Sequence, residues 1–307
     1  MKISLMLEGQ NGLNWPRWQQ IARLAEELGF AGLYRSDHFT NADAPDKDSL
    51  ECWISLAWLA SNTRRIEFGP LVSPVSFRHP TLTARMASAI DDLSGGRLVL
   101  GLGAGWQERE HHNFGWDLLS MDERFVRFNE ALEVISLLLY SDTPVDYSGQ
   151  YYQLNDAILL PRPQRPGGPP ILIGGNGEKR TLPLAARLAD EWNAVYINAA
   201  AFARLNARLD ELLTIEGRET EEVSRSLMTG VVYGQDANEV ANKVARRTQN
   251  RRDAAQLRAH GVLVGSGEEI RQQLDELSTV GVQQVMLQWL DLDDLDGLSR
   301  LAQAILV

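Results

Sequence analysis

The stretch "RIEFGPLVSPVSFRHPTLTARMASAIDDLSGGRLVLGLG", Arg65 to Gly103, holds two apolar runs joined by a helical pattern. The first run, residues 65 to 75, is rich in β-formers and ends at Ser73 and Pro74. Pro80 then reads as the first residue of a helix, where its missing N–H is no loss. RLVLGLG, residues 97 to 103, returns to a strand. Strand, helix, strand is the unit of a parallel sheet.

The alternation extends both ways. Upstream lie KISLML (2 to 7) with WPRWQQIARLAEELGF, then AGLYRS (31 to 36) with SLECWISLAWLASNT. Downstream come the helix around RFVRFNEALEVISLLLY, ILIGG (171 to 175), EWNAVYI (191 to 197), SRSLMTGVVYG (224 to 234) and VQQVMLQWL (282 to 290), each strand followed by a helical run. Eight near-continuous Val, Ile and Leu strands alternating with amphipathic helices predict a single-domain α/β chain over residues 1–307, a closed (β/α)8 TIM barrel. A doubly wound open sheet is the competing architecture. Residues 140–170 are turn-rich, with β-like pieces near Asp146 and Tyr152, and predict an insertion after the fourth helix. The prolines of PRPQRPGGPP exclude helix there. The polar tract 235–260 is a second interruption.

Composition narrows the function. A net charge of -11 opposes binding to nucleic acid or to an anionic membrane. The basic run Lys243 to Arg252 reads as a solvated helix face. MKISLML is too short for a signal-peptide core, and no run approaches ~18 apolar residues, so a soluble, cytoplasmic protein is expected. The one cysteine, Cys52, permits no internal disulfide and reads as a small buried hydrophobe.

Several motifs gather at strand ends. Asp37 and His38 follow the second strand, Ser73 lies in the third, Gly103 to Gln107 follow the fourth and Gly174 to Gly177 the fifth. Closing a barrel brings such positions to one mouth. "GLGAGW" fails as a dinucleotide fingerprint because Trp106 stands where the last glycine belongs. Its glycines suit either a flat ring approaching the backbone or a tight strand-to-helix turn. "ILIGGNGEKRT" lacks the Gly-Lys-Ser/Thr of a P-loop, although its helix start suits an anion or a polar ring edge. His79 reads equally as a cap or a functional group. His111 and His112 in "EREHH" match no zinc motif and read as solvent-facing, so no metal is expected. A broad mouth, floored by glycine and poor in charge, suits a flat aromatic cofactor. His38, with an ordinary pKa near ~6.5, suits proton transfer.

The stretches "LGFAGLYRSDHF", "RHPTLTARMASAIDDLSGGRLVLGLGAGWQEREHHNFG", "ERFVRFNEALEVI", "PPILIGGNGEKRTLPLAARLADEWN" and "GVLVGSGEEIRQQL" resemble the bacterial-luciferase-like superfamily, and within it the deazaflavin-using oxidoreductases. The resemblance covers nearly the whole chain. It implies a barrel with coenzyme F420, or FMN in sister branches, across the carboxyl ends of the strands, within a homodimer. It assigns proton transfer or substrate binding to His38. For the cofactor it implies Asp37, a strand bulge at Pro70 and Leu71, often with a non-proline cis peptide, Ser73, Leu102, Gly103 and Gln107, with Gly174, Gly175 and Gly177 at the cofactor's tail. Ala104 departs from the sugar-phosphate dehydrogenase branch, where a glutamate acts as base, and argues against that reaction. The resemblance thus implies an F420-dependent oxidoreductase acting on a small-molecule substrate. An FMN-dependent monooxygenase and a non-catalytic flavin-binding protein are the alternatives. Selectivity is expected in the mouth loops Glu8 to Asn14, Thr40 to Asp48 and Tyr140 to Pro170. Trp106 is the one tryptophan read as a stacking platform rather than core.

Overall fold

The computed structural model describes residues 1–306. The chain opens with β1 (Lys2–Leu7), α1 (Trp15–Leu28), β2 (Gly32–Arg35), α2 (Cys52–Asn62), β3 (Glu67–Pro70), β4 (Ser73–Pro74) and α3 (Pro80–Ser94). The middle holds β5 (Leu100–Gly103), α4 (Glu108–Phe114), α5 (Met121–Tyr140), β6 (Val145–Ser148), β7 (Gln153–Ala157), β8 (Ile171–Gly174), α6 (Thr181–Leu188) and β9 (Glu191–Val195). Then follow α7 (Ala199–Glu216), β10 (Ser224–Tyr233), α8 (Ala237–Thr248), α9 (Ala254–Ala259), β11 (Leu263–Gly265), α10 (Gly267–Thr279), β12 (Gln284–Gln288) and α11 (Leu295–Ile305).

The main sheet runs β3-β2-β1-β12-β10-β9-β8-β5-β4, with parallel pairing at each step. Its two ends, β3 and β4, are consecutive pieces of one run. Phe68 bridges Leu98, and the Val99 N–H donates to the Phe68 carbonyl at 2.8 Å, which closes the ring. Eight chain runs therefore encircle the barrel, as the alternation of apolar runs predicts. The third run breaks because β3 pairs with β2 while β4 pairs with β5, and the cis peptide Leu71–Val72 lies between them. Here two glycines have a purely steric reason. A Cβ on Gly69 would meet the Val99 carbonyl oxygen at 1.9 Å, and one on Gly101 the Pro70 oxygen at 2.1 Å.

Strand alternation divides the apolar residues. Met6, Tyr34, Leu71, Val99, Leu172, Met228 and Met286 fill the inside of the ring. Leu5, Leu7, Leu33, Phe68, Leu100 and Ile173 pack outward against the helices in the larger core. Helix starts follow local chemistry: Ser120 and Glu123 form a capping box at α5, and the His79 ring accepts from the Thr81 N–H at α3. His79 is thus a cap, with Tyr152 packed edge-on against it.

The insertion is an antiparallel hairpin, β6 with β7. The polar tract after β10 forms α8 and α9 and leads into β11, which pairs with β10 beside the ring. Three residues are too few for β11 to register as a strand in a sequence pattern. No helix among the described residues is long and apolar enough to cross a membrane.

Candidate active site

The carboxyl ends of the strands surround a cavity of about 470 Å³, within the range of small-molecule sites. Its walls include Met6, Glu8, His38, Leu71, Val72, Trp106, Glu110, Gly174, Gly175, Asn193, Tyr196 and Gln288. β2 delivers His38, α4 delivers Glu110, and β9 and β12 deliver Asn193 and Gln288.

His38 Nδ1 lies 2.8 Å from Glu110 Oε1, and Glu110 Oε2 accepts the Phe39 N–H at 3.0 Å. The Glu110 side chain is 1% exposed and that of His38 16%. The carboxylate accepts from Nδ1–H, so Nε2 is the nitrogen left without a protein partner among the described residues. Burial is the largest single influence on His38 and opposes its charge. The hydrogen bond and charge of Glu110, with the charges of Glu8 and Asp37, outweigh it and raise the pKa above the ordinary 6.5. A histidine so placed can exchange a proton with a group in the cavity through Nε2. Trp106, 61% exposed, stands edge-on to the His38 ring at 5.6 Å.

Asp37 and Ser73 lie together behind the wall. Asp37 Oδ2 accepts from Ser73 Oγ and from Arg78 Nη1, each at 2.6 Å, and the Trp53 indole donates to Ser73 Oγ at 3.2 Å. Both oxygens of Asp37 are engaged by Arg78, and Asp37 is buried. Gln107 is likewise engaged: its amide donates to the Thr40 carbonyl at 2.9 Å and accepts from Thr40 Oγ1 at 3.0 Å. Leu102 is core, and Gly103 lies against Val72, whose Cγ2 is 2.6 Å from where a glycine Cβ would stand. Pro70 pairs with Arg35 in the sheet, and Gly177 accepts from the Leu182 N–H at the start of α6. Of the catalytic and cofactor residues read from sequence, His38, Leu71, Gly174 and Gly175 face the cavity, and Trp106, read as a stacking platform, joins them. The others support its walls.

The expectation for the adjacent histidines needs correction. His112 is exposed, but His111 is buried, with Nδ1 at 2.7 Å from the Gln107 carbonyl and Nε2 at 2.8 Å from Ser76 Oγ. The first face of α4 turns inward against Phe77, and burial lowers the His111 pKa. No group of three or more His, Cys, Asp or Glu side chains placed to hold a metal ion occurs among the described residues. The Arg180 side chain at the start of α6 pairs with Asp122 instead of standing free for an anion.

Sequence reasoning missed Glu110, Asn193, Tyr196 and Gln288. Asn193 and Gln288 carried a signal, each being a polar side chain in a largely buried strand. Glu110 stood in "EREHH" but was weighed only as part of a metal motif. Asn193 Nδ2 donates to Ser226 Oγ at 2.8 Å, while its Oδ1 is buried without a partner. An unpaired acceptor on a cavity wall fits the N–H edge of a flavin or deazaflavin ring. Gly174 and Gly175, without Cβ atoms on the same wall, fit close approach of such a molecule.

The sequence model of the luciferase-like monooxygenase family matches residues 1–284. The chain is 31% identical over 201 residues to 4-hydroxyprotoasukamycin monooxygenase of Streptomyces nodosus subsp. asukaensis, a match covering 66% of this chain and 52%, about half, of that protein. It is 29% identical over 293 residues to the F420-dependent glucose-6-phosphate dehydrogenase of Amycolatopsis mediterranei, covering 90% of this chain and 81% of that one. Relatives of both chemistries thus match at similar identity. The solved structure of an F420-dependent secondary alcohol dehydrogenase superposes with a TM-score of 0.84 at 18% identity, covering 99% of this chain and 98% of that chain, and shares the fold. With a family match over nearly the whole barrel, this chain belongs to the luciferase-like monooxygenase family, whose relatives here include F420-dependent dehydrogenases and flavin monooxygenases.

Proposed function

We propose that the protein is an F420-dependent oxidoreductase acting on a small organic molecule, with His38 as the proton-handling residue. The observation that carries this reading is the His38–Glu110 pair at the cavity wall, an imidazole held through Nδ1 by a buried carboxylate. Bound in the cavity, F420 would supply a ring that exchanges a hydride at carbon. The chain's part is to bind, orient and protonate. Leu71 and Val72 would back the ring, Asn193 Oδ1 would accept from its N–H edge, and Gly174 and Gly175 would admit its tail. Glu110 fixes the His38 ring by holding Nδ1 and leaves Nε2 to give or take the proton. Asp37 and Ser73 act one layer back, holding the wall through Arg78 and Trp53.

FMN is the second reading, supported by the monooxygenase relative. An anaerobic titration of the purified protein with F420 and with FMN, followed by cofactor fluorescence, separates the two. Tight binding of F420 alone is the expected result, and preference for FMN overturns it. His38→Ala is expected to abolish turnover and spare cofactor binding; unchanged turnover refutes the role given to His38. We also propose a homodimer. It is supported by α2, rich in apolar residues with Ile54 61% exposed, and by Leu82 on the neighbouring α3, 49% exposed.

A further inference from the structure

Glu8 is a carboxylate on the cavity wall with no ion-pair partner among the described residues. Its oxygens accept from two neutral amides, Gln288 Nε2 at 2.6 Å and Gln10 Nε2 at 2.8 Å. The orientation of both amides is fixed from behind. Gln10 Oε1 accepts from Ser36 Oγ at 2.6 Å, and Gln288 Oε1 accepts from the Tyr196 hydroxyl. Two donors therefore point at Glu8, an arrangement that suits the ionised, acceptor-only form.

The charges around it do not cancel this carboxylate. No Lys or Arg lines the cavity. Arg78 is engaged with Asp37 and Glu51. Arg247 reaches only as far as the Tyr196 hydroxyl, at 3.2 Å, two hydrogen bonds away from Glu8. His38, when protonated, is matched by Glu110. What remains in the cavity is at least one negative charge with lone pairs to spare, and the same walls carry the aromatic side chains of Trp106 and Tyr196. A carboxylate held by neutral donors, together with aromatic rings, is an environment that favours a cation.

We propose that Glu8 is the counter-charge for a cationic substrate, so that the cavity takes small molecules bearing a positively charged nitrogen. This rests on the reading of the cavity as the cofactor and substrate site, and it names the substrate class. Glu8 anchors the nitrogen, while Trp106 at the mouth covers it.

The test uses three probes of one size and different charge: benzylammonium, benzyl alcohol and benzoate. Each is titrated calorimetrically into the full-length protein loaded with whichever cofactor binds. Benzylammonium is expected to bind at least about tenfold tighter than the alcohol, and benzoate least. Glu8→Gln is expected to weaken benzylammonium by about tenfold to a hundredfold, the range of a charge-assisted hydrogen bond, and to leave the alcohol and the cofactor unchanged. Glu8→Asp, which keeps the charge, is expected to keep the preference. The proposal is overturned if benzylammonium does not bind, binds no tighter than the alcohol, or is indifferent to Glu8→Gln. It is also overturned if Glu8→Gln weakens the cofactor instead. Failure of both cofactors to bind is a failure of the parent reading. The same three probes titrated into the cofactor-free protein then still report on Glu8, because the counter-charge belongs to the chain.

Discussion

Replacing Glu110 with Gln removes a charge from the most buried partner of His38 while keeping the shape of the side chain. Opposite charges about 4 Å apart attract by about 4 kcal/mol at the effective dielectric of ~20 that suits partly buried pairs. The contact here is shorter, 2.8 Å, and Glu110 is 1% exposed, so solvent screens it little. Without that charge, burial, already the largest single influence on His38, is opposed less and favours the neutral ring. The His38 pKa is expected to move from above its ordinary value to below it. The stability effect has a definite sign. A raised histidine pKa contributes stability that is present below the unfolded value of about 6.5 and lost as pH rises through the folded value. Glu110→Gln should therefore destabilise most at pH ~6, by about 1.5–3 kcal/mol for a lost hydrogen bond to a charged group. Its effect should shrink as pH rises through the folded value, where the native ring also becomes neutral. Histidine side-chain NMR titration and urea unfolding at two pH values, below and above the folded value, provide the assays. A His38 that still titrates above its ordinary value in the variant, or an equal loss at both pH values, would refute the reasoning.

Two further predictions concern the barrel. Glu191 is buried at the start of β9 with Oε1 unpaired, and burial pushes its pKa up to about 7 from 4.5. A raised carboxyl pKa means stability is lost as pH rises from about 4.5 to about 7, by roughly 3 kcal/mol at 1.36 kcal/mol per unit. Glu191→Gln should raise the melting temperature at pH ~8 and leave it nearly unchanged at pH ~4.5; equal effects at both would sink the account. Gly69→Ala forces a methyl against the backbone oxygen of Val99, 1.9 Å from the ideal Cβ position. Overpacking that backbone cannot relax should lower stability by about 3 kcal/mol or more, and an unchanged urea midpoint would contradict the close strand approach.

The sequence by itself determined the barrel and one corner of its mouth. Eight apolar runs alternating with helices leave few topologies, because strands buried on both faces need helices outside and residues within. His38 was legible for the same reason: it follows a strand end, and strand ends converge. Tertiary structure decided which neighbours face the cavity. Asp37, Ser73 and Gln107 occupy equally favoured positions in the chain, yet each turns to a partner, Arg78, Trp53 or Thr40, that is distant in sequence or set by loop geometry. Glu110 reaches His38 across 72 residues, and Glu8 reaches Gln288 across 280. Hydrogen bonds between residues so far apart leave no periodicity in the sequence, and only the closing of the ring brings them together.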